Sequence, residues 1–395
     1  MNSEKRRVVV IGAGPAGLVA ALSLRARGIE PLVVEAKGPG ELVPGSRALF
    51  VHRESMAVVE AVSPGTGQTI SEAGIMWAAR ETRYSGQRVF HRVDRRVGSS
   101  SGGIAQYSSL RQSATVAILR EACEQAGIEI RTSCPVEAVD VVGNGVVLST
   151  PSGLVLAERV IAADGARSVA RKGIDSRLEG PRLDGHHVVV DLATPASAHP
   201  RSKRVLHYKV PSLEKRNLLI IPFAGGFQLD VQAKSKEDAD RLRDVSTWLS
   251  CVAPEASQED VSWVSTYRFT TAVATSLSDP TGRVLLVGEA AHLFPPFGAR
   301  GMNSAIADAH AAAEAVAIDA STGSSAATMR FAETRQAAAR VNAEAATRGF
   351  RVLHPSRRYR AAQWSAAQAS RFLTSAGRWL EDAPFTVGSR TGGRY

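Results

Sequence analysis

Cysteine is nearly absent from this chain. Only three occur in 395 residues, Cys123, Cys134 and Cys251, and none forms a CxxC pair. So sparse and odd a set argues against a disulfide framework and suits reduced thiols, so the expected compartment is the cytoplasm. Aromatic residues are also scarce, at 6%. No stretch interleaves them with Lys or Arg, so no nucleic-acid-binding motif is read. Long apolar runs are missing too: nothing approaches the roughly 18 residues of a membrane span. The N-terminal stretch MNSEKRRVVVIGAG sets paired arginines before an apolar run, as a secretion signal does. Glycines and Pro15 cut that run short after Ile11, so no signal peptide is expected. There is no internal repeat, and no metal site is read.

What is present is ordinary in bulk and specific in places. Hydrophobic residues make up 44% and charged residues 22%, as in soluble globular proteins. A net charge of +10 describes an Arg-rich solvated surface, and its field also attracts anionic substrates and cofactors. The length predicts two domains or one elaborated α/β domain.

Arg7-Val8-Val9-Val10-Ile11 reads as a buried parallel strand. It runs into Gly12-Ala13-Gly14-Pro15-Ala16-Gly17, and Leu18 to Leu24 continues as a helix. A second apolar strand, Pro31 to Val34, ends in Glu35. This is GxGxxG in the setting that gives it meaning, with an acid about 20 residues on. Gly12 permits the tight turn, Gly14 lets backbone approach a pyrophosphate, and Gly17 lets helix and strand pack closely. The pyrophosphate rests at the positive end of the helix dipole. Glu35 can accept hydrogen bonds from a ribose diol, which favours NAD or FAD over a 2′-phosphorylated ribose; the motif alone does not choose between those two.

Two later segments share this style. Val160-Ile161-Ala162-Ala163-Asp164-Gly165 is a strand ending in Asp-Gly, followed by Ser168 and Arg171. Gly282 to Val287 is a strand reaching Gly288-Glu289-Ala290-Ala291-His292. Then come Pro295-Pro296, Phe297, Gly298-Ala299-Arg300-Gly301-Met302-Asn303, and a helix to about Ala320. Prolines remove backbone freedom and make a rigid wall for a flat ring. Gly298 and Gly301 let that wall come close, and the helix start offers unpaired N–H groups to negative charge. His292 reads as a structural residue of this turn.

Taken together, these segments resemble the class A flavoprotein monooxygenases, the aromatic-hydroxylase family that includes 4-hydroxybenzoate and phenol hydroxylases. In that family the stretch matched by Asp164 to Arg171 is implicated in binding FAD and reduced nicotinamide. The stretch after residue 288 is usually GDAAH, with the acid on the ribityl hydroxyls; here Glu289 stands in place of that Asp. The resemblance implies that Gly298, Gly301, Met302 and Asn303 border the flavin. It further implies that Arg47 lies near the isoalloxazine and pyrophosphate, and that Gln112, or else Arg111, lies against FAD.

The implied architecture is α/β: a Rossmann-type FAD-binding domain with an inserted, mostly antiparallel β-sheet substrate domain and C-terminal helices. Residues 1–70, 106–180 and 278–350 make the first, 71–105 with 181–277 the second, and 351–395 a helical tail. Trp364, Phe372, Trp379 and Leu380 are expected to face the core. Residues 98–103 read as a mobile loop. The implied function is a single-component, FAD-dependent monooxygenase. NADH or NADPH is its transient electron donor, O2 its oxidant through a flavin C4a-hydroperoxide, and a small phenol-like aromatic its substrate. Monomer and homodimer stay open. No acid or base for the phenol is identified: His207, Tyr208, Tyr267 and Arg268 read as strand residues. A flavin-dependent reductase, a halogenase and a non-enzymatic binding protein are the alternatives on this scaffold. The halogenase WxWxIP element is missing. The prediction that separates an enzyme from a binding protein is colour: the purified protein is yellow with a flavin absorption spectrum. A colourless protein that takes up no added FAD would end this reading.

Overall fold

The computed structural model describes residues 4–41, 49–94, 103–193 and 202–385. Its first layer is the sheet anticipated from the β-branched runs. Glu4–Ile11 lies between Pro31–Val34 and Gly153–Ala162, and Glu129–Arg131 and Val284–Leu286 extend the ladder on either side, all parallel. Val8, Val9, Leu32, Val33, Val160 and Ile161 are at most 2% exposed, as expected for strands covered on both faces. Gly153–Ala162 also turns back into an antiparallel hairpin with Gly145–Thr150, which pairs in turn with Ala138–Val142.

One consequence of the register positions everything that follows. Ile11 is level with both Val34 and Ala162, Ala162 with Leu286, and Val34 with Arg131. The carboxyl ends of these strands therefore finish along one line, where crevices form in open α/β sheets. The helix Pro15–Arg25 leaves that line and packs on the long helix Arg300–Thr322. Ala309, Ala312 and Ala313 are fully buried; side chains this small let the two helices approach closely. The long helix starts at Arg300, three residues earlier than the sequence suggests.

The second layer is a seven-stranded sheet in the order Val261–Thr270, Arg182–Ala193, Gly226–Ala233, Arg216–Phe223, Lys203–Val210, Ala79–Tyr84, Gln87–Val93. It is antiparallel except where Lys203–Val210 runs parallel to Ala79–Tyr84. Val188, Val190, Leu218, Ile220, Leu229 and Val231 point to one face and form a core with Leu242 and Trp248. The residues between them point the other way, toward the first layer. The anticipated loop at 98–103 lies, but for Gly103, outside the described residues.

The C-terminal helices Ala326–Leu353, Arg357–Ala369 and Thr374–Asp382 complete the molecule. Here one expectation is corrected. Leu380 is buried at 1%, but Trp364, Phe372 and Trp379 are 56%, 89% and 37% exposed. The inward stripe of Arg357–Ala369 runs through Gln363 and Ala367, which turns Trp364 outward.

A buried ion pair fastens the outer helix Lys236–Leu242 to the second sheet. Arg216 donates from Nε to Asp238 Oδ2 at 3.0 Å and from Nη2 to Oδ1 at 2.5 Å. Burial alone would raise the Asp238 carboxyl, but Arg216 and the Lys234 N–H outweigh it and bring it down to about 2. Its stabilisation is therefore complete above the usual carboxylate range, near 3.9, and is lost as pH falls toward 2. Asp238→Asn leaves Arg216 buried against a weaker partner, so thermal or urea melts at neutral pH should show a loss of about 3 kcal/mol. The gap between variant and wild type should close as the medium is acidified.

Candidate functional site

The strand ends and the inner face of the second sheet enclose a cavity of about 1630 Å³. That exceeds the roughly 300–1,000 Å³ of an ordinary small-molecule pocket, so there is room for an extended cofactor and a second, smaller molecule.

The first wall is the glycine turn. Gly12 has φ +97°, and a Cβ there would lie 2.5 Å from the Ala163 carbonyl oxygen. A Cβ on Gly17 would lie 1.8 Å from the Gly12 oxygen, so both must be glycine. Gly14 differs: it lines the cavity, and nothing stands within 4 Å of where its Cβ would be. Pro15 opens the helix, and no side chain caps it. Pro15 and Ala16 line the cavity beside it. The result is bare backbone and a helix N-terminus facing open space, a ready anion site.

Glu35 extends from the next strand. Its Oε2 accepts from the Ala13 N–H at 2.6 Å and its Oε1 from the Lys37 N–H at 3.0 Å. The acid read as a ribose ligand thus also braces the turn. Each oxygen keeps one acceptor position, and the residue lines the cavity.

Asp164 follows the third strand. Its Oδ2 accepts from Val169 N and Ala170 N at 2.7 and 3.1 Å, while Oδ1 is buried with no partner. Ser168 caps the short helix by accepting from Arg171 N. The Arg171 guanidinium then donates to the Ala166 and Ala290 carbonyls at 2.8 and 2.9 Å. Arg171 thereby ties this corner to the turn at Gly288–Ala290, where Glu289 is exposed, lines the cavity and makes no side-chain hydrogen bond or ion pair among the described residues.

His292, read from the sequence as part of the turn, is tied to the long helix and also lines the cavity. Its Nε2 lies 2.6 Å from Asp308 Oδ2, which also accepts from Gly288 N at 3.3 Å, and its ring stacks on Phe294 at 4.4 Å. Burial alone would raise the Asp308 carboxyl, but Arg335 and His292 overcome it and hold the group below its ordinary value. The turn is thus locked to the long helix.

Pro296, Phe297, Gly298, Gly301 and Met302 line the cavity. Gly298 and Ala299 both take left-handed φ, +81° and +55°, which swings the chain into the helix. No side chain caps that helix, and a Cβ on Gly301 would meet nothing within 4 Å. Asn303 is not among the lining residues. Its Oδ1 accepts from His52 N and Ser55 Oγ, and its Nδ2 donates to the Phe50 and Ala299 carbonyls. All its capacity goes to pinning the helix start against the chain near residue 52. Gln112, the first residue of Gln112–Gln125, lines the cavity. Arg111 instead lies over the Phe223 ring at 4.5 Å and donates to Ser262. Arg47 lies outside the described residues.

The second sheet contributes residues that the sequence reading did not single out. Gln228 and Asp230 line the cavity with Val189, Leu219 and Ile221. Gln228 donates to Asp191 Oδ1 at 2.9 Å, and His187 Nδ1 lies 2.7 Å from Asp230 Oδ1. At the far end Arg204 pairs with buried Glu381 and lies over the Phe385 ring at 4.5 Å, which draws the C-terminal helix to the cavity. Polar residues at 228 and 230, alternating with apolar ones, were the available signal; a polar face on a strand reads as solvent-facing. Among the described residues no group of His, Cys, Asp and Glu is arranged to hold a metal ion, and no helix is long and apolar enough to cross a membrane.

The residues present fit a flavin dinucleotide. Bare backbone at Gly14 and Gly301, the unpartnered Asp164 Oδ1 and the free Glu289 carboxylate all await a polyhydroxylated anionic ligand. Comparison with known proteins leads the same way. Residues 5–346 match the sequence model described as FAD binding domain. The para-nitrophenol 4-monooxygenase of a Pseudomonas species is 29% identical over 333 residues, 82% of this chain and 80% of that protein. A 3-(3-hydroxy-phenyl)propionate/3-hydroxycinnamic acid hydroxylase of Mycolicibacterium smegmatis is 27% identical over 318 residues, 76% of this chain. This chain spans only 53% of that relative's length. In fold, the crystal structure of p-nitrophenol 4-monooxygenase from Pseudomonas putida superposes with a TM-score of 0.78 at 22% identity, covering 97% of this chain and 98% of that one.

A side chain placed in the cofactor's space should separate binding from folding. Gly301→Val has room in the protein itself, so the thermal midpoint of the apoprotein should stay near wild type. Flavin retention should fall at least about tenfold, as read by fluorescence titration with FAD.

Proposed function

Because this chain belongs to the FAD binding domain family, and its relatives include a para-nitrophenol 4-monooxygenase and a hydroxyphenylpropionate hydroxylase, we propose that it is a class A monooxygenase. On this reading it hydroxylates a small phenol-like aromatic, using O2 and electrons from NADH or NADPH, in the cytoplasm. The observation that carries the proposal is convergence. The glycine turn, Glu35, Asp164, Glu289 and the start of the helix at Arg300 open onto one cavity whose opposite wall is the second sheet.

Bound FAD supplies the electron-carrying and oxygen-activating chemistry. The chain's residues bind and orient it. The turn Gly12–Gly17 and the helix behind it hold the pyrophosphate, Glu35 the ribose, and Asp164 and Glu289 the remaining hydroxyls. Gln112, Glu41, Leu49 and Phe50 line the same cavity. The uncapped N–H groups of Gly301 and Met302, at the positive end of a 23-residue helix, favour negative charge in the cavity without rearranging. Pro296 and Phe297 make the rigid side of the slot.

We read residues 71–105 with 181–277 as the substrate domain and the remainder up to 350 as the cofactor domain. Val189, Leu219, Ile221, Phe269 and Phe297 give the substrate end an apolar lining, which excludes water and holds a flat ring. A dry site matters because activated oxygen exposed to water is released as hydrogen peroxide. The three cysteines are unpaired, with Cys123 and Cys134 buried, in accord with a reducing compartment.

The test is anaerobic reduction of the holoenzyme by NADPH and by NADH with a panel of phenols. One or more phenols should accelerate bleaching of the flavin. Under air the same compound should give a product heavier by one oxygen atom. If no phenol alters the rate of bleaching and none is oxygenated, the proposal is wrong.

A further inference from the structure

The inner face of the second sheet carries a buried acid–imidazole pair that holding the cofactor does not use. Asp230 lies on Gly226–Ala233 and His187 on the neighbouring Arg182–Ala193. His187 Nδ1 is 2.7 Å from Asp230 Oδ1, a geometry in which the ring N–H donates to the carboxylate. Asp230 is 8% exposed, and it lines the cavity. Among the described residues its side-chain partner is His187, on Oδ1, and no donor meets Oδ2. His187 is 2% exposed and sits 4.7 Å from the Phe269 ring and 5.5 Å from His354. Its Nε2 is buried with no partner.

A largely buried carboxylate oxygen flanked by Val189, Leu219 and Ile221 is costly to leave unpaired unless a ligand donates to it. We propose, building on the hydroxylase reading above, that Asp230 accepts the hydroxyl proton of the phenolic substrate, with His187 as the positioning residue that aims the carboxylate. The substrate O–H donates to Oδ2 in the bound complex. As the ring C–O bond forms, the O–O bond of the reduced oxygen breaks and its other oxygen leaves with the electron pair; the phenol O–H bond breaks, its electron pair moves into the ring, and the proton passes to Oδ2. The ring then gives its displaced hydrogen as a proton to the departing oxygen, which ends as water, and as aromaticity returns Oδ2 gives its proton back to the phenolic oxygen. His187 does not take the proton: Nδ1 already donates, and a proton on Nε2 would sit in a sealed site with nothing to accept it. Tyr267 and Arg268, on the next strand, line the same cavity, and His354 packs behind His187. Tyr267 is level with His187 on that strand, and Arg268 with His186.

The experiment pairs phenols with their O-methyl ethers, which lack the proton, and measures binding to the FAD-loaded protein by perturbation of the flavin spectrum. Wild type should prefer a phenol over its ether by about tenfold or more. In Asp230→Asn the His187 N–H holds the amide oxygen, so the amide NH2 faces the cavity and an acceptor becomes a donor. The preference should vanish, and phenol-dependent turnover should fall about 10²–10⁴-fold with FAD content unchanged. His187→Phe keeps the ring's volume among its aromatic neighbours but removes the donor. Without that donor the carboxylate loses its aim, so the preference for a phenol over its ether should shrink while binding of the ether stays near wild type. An equal loss of phenol and ether binding would mark a merely structural role and remove His187 from the proposal. If Asp230→Asn retains both the preference and the turnover, the assignment of Asp230 is overturned while the hydroxylase reading stands. If wild type responds to no phenol, that reading fails and the assignment falls with it.

Discussion

The whole site depends on a backbone constraint: parallel strands held in register by ladder hydrogen bonds. Because Ile11, Val34, Ala162 and Leu286 sit level, residues from distant parts of the chain emerge at one edge. The backbone bonds continue past the strands themselves. Gly12 N donates to Val34 O, Ala163 N to Ile11 O, and Val287 N to Ala162 O, at 2.7 to 3.0 Å. Each corner is therefore fixed to the next by main chain, and a side chain need only extend from its own strand to reach the shared cavity. Slippage in any one ladder would carry its corner out of the line.

Side chains then lock the corners to one another. Arg171 bridges the Asp164 corner and the Gly288 turn through the Ala290 carbonyl. Asp308 holds the same turn from the helix side, with His292 and Arg335 sharing its charge. Asn303 anchors the helix start to the strand segment Phe50–His52. Buried polar groups bonded in this way rigidify a site. Asp164 Oδ1 is buried without a partner, and Asp164 and Glu289 both line the cavity. Fixed anchors behind a wall that still offers polar groups are what a preorganised binding site requires.

Much of this was legible in order along the chain. Gly12, Gly14 and Gly17 stand between a strand and a helix; Gly12 and Gly17 have no space for a side chain, while Gly14 presents bare backbone to the cavity. Pro295-Pro296 followed by glycines announced a rigid turn before a helix. Elsewhere local pattern misled. Trp364, Phe372 and Trp379 have the spacing of a buried face and turn outward, because Gln363 and Ala367 take the inward stripe. Asn303 looked like a ligand and is an anchor, since a side-chain amide can satisfy four backbone and hydroxyl partners as well as it can bind a cofactor.

The sequence by itself determined the elements of the first layer and the corner residues, because strand runs, turn glycines and helix starts are set by interactions within a few residues of each other. Only the tertiary structure decided what the second sheet does. Whether Gln228 and Asp230 face water or a cavity depends on which layer covers their side of the strand, and period-two alternation is the same in both cases. The pairing of His187 with Asp230, and of Arg204 with Glu381 across 177 residues, follows from strand order and helix docking. Those are set by the summed burial of the whole chain and leave no mark in any short segment.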